Sequence, residues 1–233
     1  MRLLGKNLLI VTAHPDDESF LCAGLIHKNS VHHGRTSLIC ATNGEAGKHH
    51  LKKPTSAKNL AKTRREELIL VSKFIGINRL NMLSLPDGRL NLNKPKFFKQ
   101  SWTFAKACPV DVIISFGPDG ITGHLDHIAC YEVAIKLAKK IHVPLVTFTI
   151  PNKILSKASK FFKIRRISPH YHDQPLKHQK PNLQLKVNPA IKLEALRMHR
   201  SQYQTNPLYH FPKDVAKEIL NYECFCYNKA SHD

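Results

Sequence analysis

The feature that most constrains the fold of this chain is the alternation of short apolar runs with longer segments of helical period. Residues 7–13 (NLLIVTA) and 111–116 (DVIISF) are continuous apolar runs of strand length, which is typical of strands buried on both faces. Residues 57–75 instead place apolar side chains on one face of a helix. Because buried strands that alternate with helices form parallel sheets with right-handed crossovers, the pattern predicts an α/β protein.

The predicted elements continue this alternation along the chain. Strands are predicted at 7–13, 36–41, 80–83, 111–116 and 145–150, and helices at 19–33, 57–75, 126–140 and 190–202. Gly76 suits the C-terminal cap of the helix at 57–75. The sequence shows no internal repeat and no composition typical of a linker. We therefore predict one domain over residues 1–233, with a Rossmann-like, mainly parallel sheet and helices on both faces.

The charge balance raises another class of function. The chain has 36 Lys and Arg against 17 Asp and Glu, a formal net charge of +19. Such an excess ordinarily indicates a nucleic acid or another anionic partner. The excess is concentrated in residues 51–100 and 151–200, which also carry apolar periodicity, and the sequence has neither zinc-finger spacing nor an RNP-like aromatic motif. Nucleic-acid binding is therefore disfavoured, and solvated lysine-rich faces are the simpler interpretation.

The cysteines and the N-terminal residues indicate a compartment. The six cysteines show neither CxxC spacing nor the density of a secreted disulfide scaffold. No apolar run approaches the ~20 residues that a membrane span needs. The first residues also lack the hydrophobic segment of a signal peptide. Together these features predict reduced thiols and a cytoplasmic protein.

Two polar clusters directly follow predicted strands. The first is AHPDDE at 13–18, and the second is GPDGITGHLDH at 117–127. In open α/β sheets, ligands bind at the carboxyl ends of strands, so neighbouring strands would bring the two clusters together. Imidazole nitrogens and carboxylate oxygens are the ligands that Zn²⁺ prefers when sulfur is absent. The sequence therefore predicts a metal site at this edge of the sheet.

The residue types in the clusters suggest individual roles. A catalytic zinc site needs three protein ligands and an open position for water, and the candidates are His14, Asp17 and His127. The metal lowers the pKa of a bound water towards ~7, and Asp16 is placed to take its proton as a general base. His124 would stabilise the developing oxyanion or protonate a leaving amine. Asp126 would fix the tautomer of His124.

Each cluster alone also has a simpler interpretation. Aspartates like those of HPDD are common at helix N-termini, where they cap free amides and are favoured by the helix dipole. A single loop histidine, such as His124 or His127 taken alone, is more often an ordinary surface residue. The catalytic interpretation depends on the two clusters occurring together at equivalent strand ends.

These residues resemble the LmbE/PIG-L family of zinc-dependent N-acetylglucosaminyl deacetylases. AHPDDE and GPDGITGHLDH stand in the family's order and at a typical separation. Weaker similarity extends to four further segments, namely TNGEAG at 42–47, RREEL at 64–68, LPDG at 85–88 and KLEALRMHRSQ at 192–202. The resemblance implies the same zinc ligands, with Asp16 as general acid and base and His124 as the oxyanion residue oriented by Asp126. It also implies that Arg64 and Asp87 bind polar groups of the substrate.

The activity that the resemblance implies is hydrolysis of the N-acetyl group of an N-acetylglucosamine-type sugar conjugate. The products would be acetate and a free amine, and the cofactor would be one Zn²⁺ per chain, with Fe²⁺ not excluded by the ligand types. The partner would be a small amino-sugar conjugate of unidentified aglycone. The basic segments suggest a cationic rim that would favour an acidic aglycone.

Other functions stay open at the level of sequence. One is an amidase acting on a different acyl-amide conjugate, and another is a basic protein that binds nucleic acid or an anionic surface and keeps a non-catalytic metal site. Residues 152–167 (NKILSKASKFFKIRRI) mix apolar and basic side chains, which suits a flap over the site, a membrane-surface helix or a solvated surface. A homo-oligomer is also compatible with the sequence.

Overall fold

The computed structural model describes residues 2–51, 53–121, 123–165 and 179–227, with the backbone alone for 159–165. The strands are β1 (Asn7–Thr12), β2 (Arg35–Thr42), β3 (Arg79–Leu85), β4 (Val112–Ser115), β5 (Leu145–Thr149), β6 (Leu183–Lys186) and β7 (Tyr222–Tyr227). The helices are α1 (Asp17–Leu21), α2 (Ala23–Val31), α3 (Ala57–Ile75), α4 (Lys94–Ala105), α5 (Leu125–Ile141), α6 (Asn152–Arg165), α7 (Pro189–Met198), α8 (Pro207–His210) and α9 (Lys213–Asn221). Each strand that the sequence predicts is present at its place.

The strands form one mixed sheet in the order β3-β2-β1-β4-β5-β7-β6. The first five are parallel to their neighbours, and β7 pairs antiparallel with both β5 and β6. The predicted α/β class with a mainly parallel sheet is therefore confirmed. The strand order reverses between β1 and β4, which is the position where open α/β sheets bind ligands.

The central strands are apolar because both of their faces are covered. Leu9, Ile10 and Val11 of β1 are fully buried, as are Ile113 and Ile114 of β4. Among the helices, α4 packs against α5, and α2, α3 and α7 pack against one another. This coverage explains why these strands read as continuous apolar runs and not as alternating patterns.

Helix α3 shows how local sequence defines an element. Ser56 caps its start by accepting a hydrogen bond from the Asn59 N–H, and Leu68 and Val71 bury the apolar face. Gly76 ends the helix at φ +89°, a left-handed conformation that favours glycine. The helix spans the residues that the sequence predicts.

Two predicted helices are wrong in extent. The helix predicted at 19–33 is divided at Cys22 into α1 and α2. Glu223 of β7 accepts the backbone N–H groups of Gly24 and Leu25 at 2.9 and 2.7 Å, so a carboxylate distant in sequence caps the start of α2. The helix predicted at 190–202 ends earlier, at Met198, and residues 199–206 form turns.

Several elements were not predicted, namely α4, α8, α9, β6 and β7. Residues 152–167 fall mainly in α6, where Ala158 is buried in a small apolar cluster with Leu196 and Val215. The basic side chains of Lys160, Lys163, Arg165 and Arg166 lie outside the described residues, so the membrane-surface and flap interpretations stay predictions.

In the part of the chain that the structure describes, no helix combines the length and apolar character that crossing a membrane requires.

Candidate metal centre

The two polar clusters meet at the point where the strand order reverses. Residues 13–16 connect β1 to α1, and residues 116–124 connect β4 to α5. Since β1 and β4 are parallel neighbours, their carboxyl ends lie side by side. The ring centroid of His14 is 4.9 Å from that of His124 and 5.3 Å from that of His127. The sheet therefore brings the predicted clusters together.

Three predicted ligands form a compact donor set. Ligand atoms of His14, Asp17 and His127 all lie within 4.8 Å of one another. Asp17 Oδ1 is 3.4 Å from His127 Nε2, and Asp17 Oδ2 is 3.7 Å from His14 Nδ1. The Asp17 carboxylate is held by the backbone N–H groups of Ala13 and His14, at 3.0 and 2.8 Å.

His127 is oriented as metal-binding histidines commonly are. Its Nδ1 lies 3.0 Å from the Gly120 carbonyl oxygen, which can only accept, so Nδ1 carries the proton. The Nε2 lone pair is then left for a ligand beside Asp17. The ring also stacks on Phe116, with centroids 3.9 Å apart and planes at 10°. Packing and one hydrogen bond therefore fix both the rotamer and the tautomer.

The electrostatics of this cluster favour a cation. His14 Nε2 lies 3.0 Å from Asp87 Oδ1 and 3.3 Å from Asp126 Oδ2. Burial by itself would lower the pKa of His14, but these carboxylates and Asp17 raise it to about 10. Burial also opposes the charge on Asp17, yet His127 and His14 hold its pKa well below the ordinary value. Two imidazoles and a charged carboxylate in this arrangement fit the donor set of a zinc-type site.

Asp16 lies next to this donor set on an unusual backbone. Its φ is +114°, and its Oδ1 accepts a hydrogen bond from Arg64 Nη2 at 3.2 Å. Burial raises the pKa of the Asp16 carboxyl to about 6, against the opposing effect of the Arg64 charge. A carboxyl that titrates near neutral pH can both accept and release a proton.

Arg64 is 3% exposed, and its guanidinium donates hydrogen bonds to groups of the protein around the site. Nη1 donates to the Gly44 carbonyl at 2.8 Å, and Nη2 donates to the Pro15 carbonyl as well as to Asp16. The guanidinium thus holds the HPDD turn against the loop that follows β2. Its predicted substrate-binding role stays a prediction, and the contacts show a positioning role.

Asp87 borders the candidate ligands from the loop after β3. Its Oδ1 faces His14 Nε2, and its Oδ2 accepts the Ala46 N–H at 2.9 Å. Burial favours the neutral form, but the His14 hydrogen bond and charge lower the Asp87 pKa to about 2. Asp87 is therefore a charged carboxylate in the wall of the site, next to His14.

Asp126 has partners that differ from the prediction. Its carboxylate is fully buried, accepts the N–H groups of Gly88 and Leu90 at 2.7 and 2.9 Å, and faces His14. Among the described hydrogen bonds, its contact with His124 is through the backbone, where the Asp126 N–H donates to His124 Nδ1 at 3.2 Å. The carboxylate thus orients His14 and the loop after β3, and the expected contact with His124 is absent from these bonds.

His124 caps the start of α5, and that contact sets its tautomer. Because Nδ1 accepts the Asp126 N–H, the neutral ring carries its proton on Nε2. Burial, with a smaller contribution from the neighbouring His14, lowers the pKa of His124 to about 4. The ring is consequently a neutral hydrogen-bond donor at neutral pH.

Glu18 and His199 form a buried pair that the sequence patterns did not predict. His199 Nε2 is 2.7 Å from Glu18 Oε1, and both side chains are buried. Glu18 lies inside the AHPDDE motif and His199 inside the segment at 192–202. The sequence signal for this pair was therefore one acidic and one basic residue, each in a motif-like segment and far apart along the chain. Only folding brings them into contact.

The part of this chain that matches a known family includes the three candidate ligands. Residues 9–138 match the family model described as PIG-L: GlcNAc-PI de-N-acetylase. A probable N-acetyl-alpha-D-glucosaminyl L-malate deacetylase 2 of Bacillus anthracis is 30% identical over 206 residues, which cover 86% of this chain and 83% of that protein.

Two further relatives extend the comparison. A probable N-acetylglucosaminyl-phosphatidylinositol de-N-acetylase of Schizosaccharomyces pombe is 30% identical over 154 residues, or 59% of this chain. The match spans only 54% of that yeast protein. The solved N,N'-diacetylchitobiose deacetylase from Pyrococcus horikoshii has the same fold, with a TM-score of 0.62 at 20% identity over 95% of this chain and 83% of that one. The family model and the Bacillus anthracis relative together show that this chain belongs to the PIG-L (LmbE-like) family.

Proposed function

We propose that this chain is a metal-dependent hydrolase that removes the N-acetyl group from an N-acetylglucosamine-type sugar conjugate. Water and the amide are consumed, and acetate and a free amine are produced. Family membership supports the reaction class, since the named relatives are deacetylases of such conjugates. The observation that carries the proposal is the convergence of His14, Asp17 and His127 beside the half-buried Asp16. We further propose that residues 1–233 act as one deacetylase domain.

The proposed cofactor is one Zn²⁺, held by His14, Asp17 and His127, and Fe²⁺ suits the same ligands. When bound, the ion would supply Lewis-acid activation of the amide carbonyl and of a water molecule. The protein's part is to aim a free lone pair at the ion. For His127, the Gly120 carbonyl accepts the hydrogen bond from Nδ1–H, which leaves the Nε2 lone pair for the ion.

Asp16 is proposed to move the proton of the reaction. It accepts the proton of the attacking water and then delivers it to the departing nitrogen, which leaves as the amine. A pKa of about 6 suits both steps near neutral pH. The hydrogen bond from Arg64 holds the carboxylate in one orientation throughout.

His124 is proposed to stabilise the carbonyl oxygen as negative charge develops on it. The N–H at Nε2 can donate to that oxygen, because Nδ1 is already occupied by the Asp126 backbone. A neutral ring with a fixed tautomer serves this role without a change of protonation state. Asp126 contributes indirectly, because its carboxylate orients the candidate ligand His14. His124 and Asp126 are thus both part of the proposed catalytic machinery.

Substrate recognition is proposed to involve Asp87, a charged carboxylate beside His14 that can accept hydrogen bonds from sugar hydroxyls. Arg64 would then contribute through Asp16 and the loop at Gly44. An acidic aglycone is favoured by the net charge of +19. The names of the Bacillus anthracis and yeast relatives, which specify malate and phosphatidylinositol conjugates, are consistent with this proposal.

The test is acetate release from N-acetylglucosamine conjugates that differ in aglycone, with malate, inositol, phosphatidylinositol and a second sugar as the panel. We expect turnover that chelator abolishes and added Zn²⁺ restores. Asp16→Asn should lose activity, whereas Asp214→Asn, at an exposed carboxylate paired with Lys157, should not. Full activity of Asp16→Asn or of metal-stripped protein would refute the mechanism. Turnover of other acyl amides alone would favour the amidase alternative.

A further inference from the structure

The backbone of Asp16 is strained and must be held by specific contacts. Its φ of +114° with ψ of −20° is a conformation that residues with a Cβ rarely adopt. Asp16 stands between the candidate ligands His14 and Asp17, so relaxation of this turn would move its carboxylate relative to the donor set. The contacts of the Asp16 backbone therefore decide where the proposed general base points.

Glu18 makes one of those contacts. Its Oε2 accepts the Asp16 N–H at 3.0 Å, and its Oε1 accepts from Ser19 Oγ at 2.6 Å. The same Oε1 lies 2.7 Å from His199 Nε2, which donates because a carboxylate oxygen can only accept. Glu18 is fully buried. A buried carboxylate with three donors on two oxygens is fixed in one orientation.

Among the described residues, the hydrogen-bond partner of the His199 ring is Glu18. The ring is 1% exposed, and its Nδ1 has no hydrogen-bond partner among the described residues. The turn segment that carries His199 is anchored separately, because Ser201 donates its N–H and its hydroxyl to Glu67 at 2.8 and 2.6 Å. Anchoring the segment and holding Glu18 are thus two separable functions of neighbouring residues.

We propose that Glu18 and His199 are positioning residues that hold the Asp16 turn for proton transfer. His199 fixes the Glu18 carboxylate, Glu18 fixes the Asp16 N–H, and Arg64 fixes the Asp16 side chain from the other side. This inference rests on the proposed function, in which Asp16 moves the proton.

The kinetic test compares His199→Leu and His199→Gln with Ser201→Ala as the matched control. His199→Leu should lower kcat by about 10-fold to 100-fold, the usual range when a residue that orients the groups of a metal site is removed. KM and zinc content should be unchanged. His199→Gln keeps an N–H donor for Glu18 and should retain most of kcat. Ser201→Ala loses a contact of the same segment and should keep the wild-type kcat.

A second measurement does not depend on turnover. In metal-free protein, amide hydrogen exchange at Asp16 should accelerate about 10-fold in His199→Leu, because the Glu18 acceptor is no longer fixed, and should be unchanged in Ser201→Ala. Unchanged exchange in His199→Leu, or an equal loss of kcat in Ser201→Ala, would overturn the positioning role.

If His199→Leu does not fold, His199→Asn replaces it, because the Asn amide is one methylene too short to reach Glu18. Equal kcat and equal exchange for His199→Asn and His199→Gln would then overturn the inference. If wild-type protein hydrolyses no conjugate of the panel, the proposed function fails, and the exchange measurement still decides whether the pair holds Asp16.

Discussion

Removing the charge of Asp16 should make the metal-free protein more stable at neutral pH. The folded-state pKa of Asp16 is about 6, raised from an ordinary 3.8 by burial. A raised carboxyl pKa means that the folded state binds the proton more tightly than the unfolded chain does. The stability associated with that proton is fully present below pH 4 and is lost as the pH rises towards 6.

The size of the effect follows from the two pKa values. A difference of about two pH units corresponds to about 3 kcal/mol at 1.36 kcal/mol per unit. Asparagine has the shape of the protonated carboxyl and still offers Oδ1 to Arg64. Asp16→Asn should therefore exceed the wild type in free energy of unfolding by up to about 3 kcal/mol at pH 8, with the difference vanishing near pH 4.

The assay is urea unfolding of chelator-treated wild type and Asp16→Asn between pH 4.5 and 8, pH values chosen to span the titration of a group near about 6. Asp214→Asn, at an exposed carboxylate, is the control and should show no such pH dependence. If Asp16→Asn is less stable than the wild type at pH 8, the Arg64 charge outweighs burial, and the reasoning about Asp16 is wrong. Such a result would also weaken its assignment as general base.

Three further outcomes are expected. Added Zn²⁺ should raise the Tm of chelator-treated wild type, and His127→Ala should abolish that rise in differential scanning calorimetry, because a metal that binds only the folded state stabilises it. Lys192→Met should lower the free energy of unfolding by about 3 kcal/mol in urea titrations, since it leaves the buried Glu223 carboxylate without its cation, and adding Glu223→Gln should recover part of the loss. Gly44→Ala should lower kcat in acetate-release assays, because the new Cβ would lie 2.3 Å from the Arg64 guanidinium at a backbone φ of +68°.

The parallel sheet and its ligand-binding edge were predictable from sequence because the information is local. Strand-length apolar runs mark elements buried on both faces, and helical periodicity marks the elements that cover them. The clusters around His14 and His127 directly follow predicted strands, so the sequence predicted that they would converge if those strands were neighbours. The order of strands in the sheet makes β1 and β4 neighbours.

The tertiary structure alone decided which partner each buried polar group takes. Asp126 contacts His14 and the loop at Gly88, Arg64 holds Asp16, and a carboxylate from β7 divides one predicted helix into two. No periodic pattern in the sequence predicts these pairings, because a buried charged group is paired with whichever polar group the tertiary structure places next to it. Residue types and spacing thus determined the chemistry available at the site, while packing between distant segments determined its geometry.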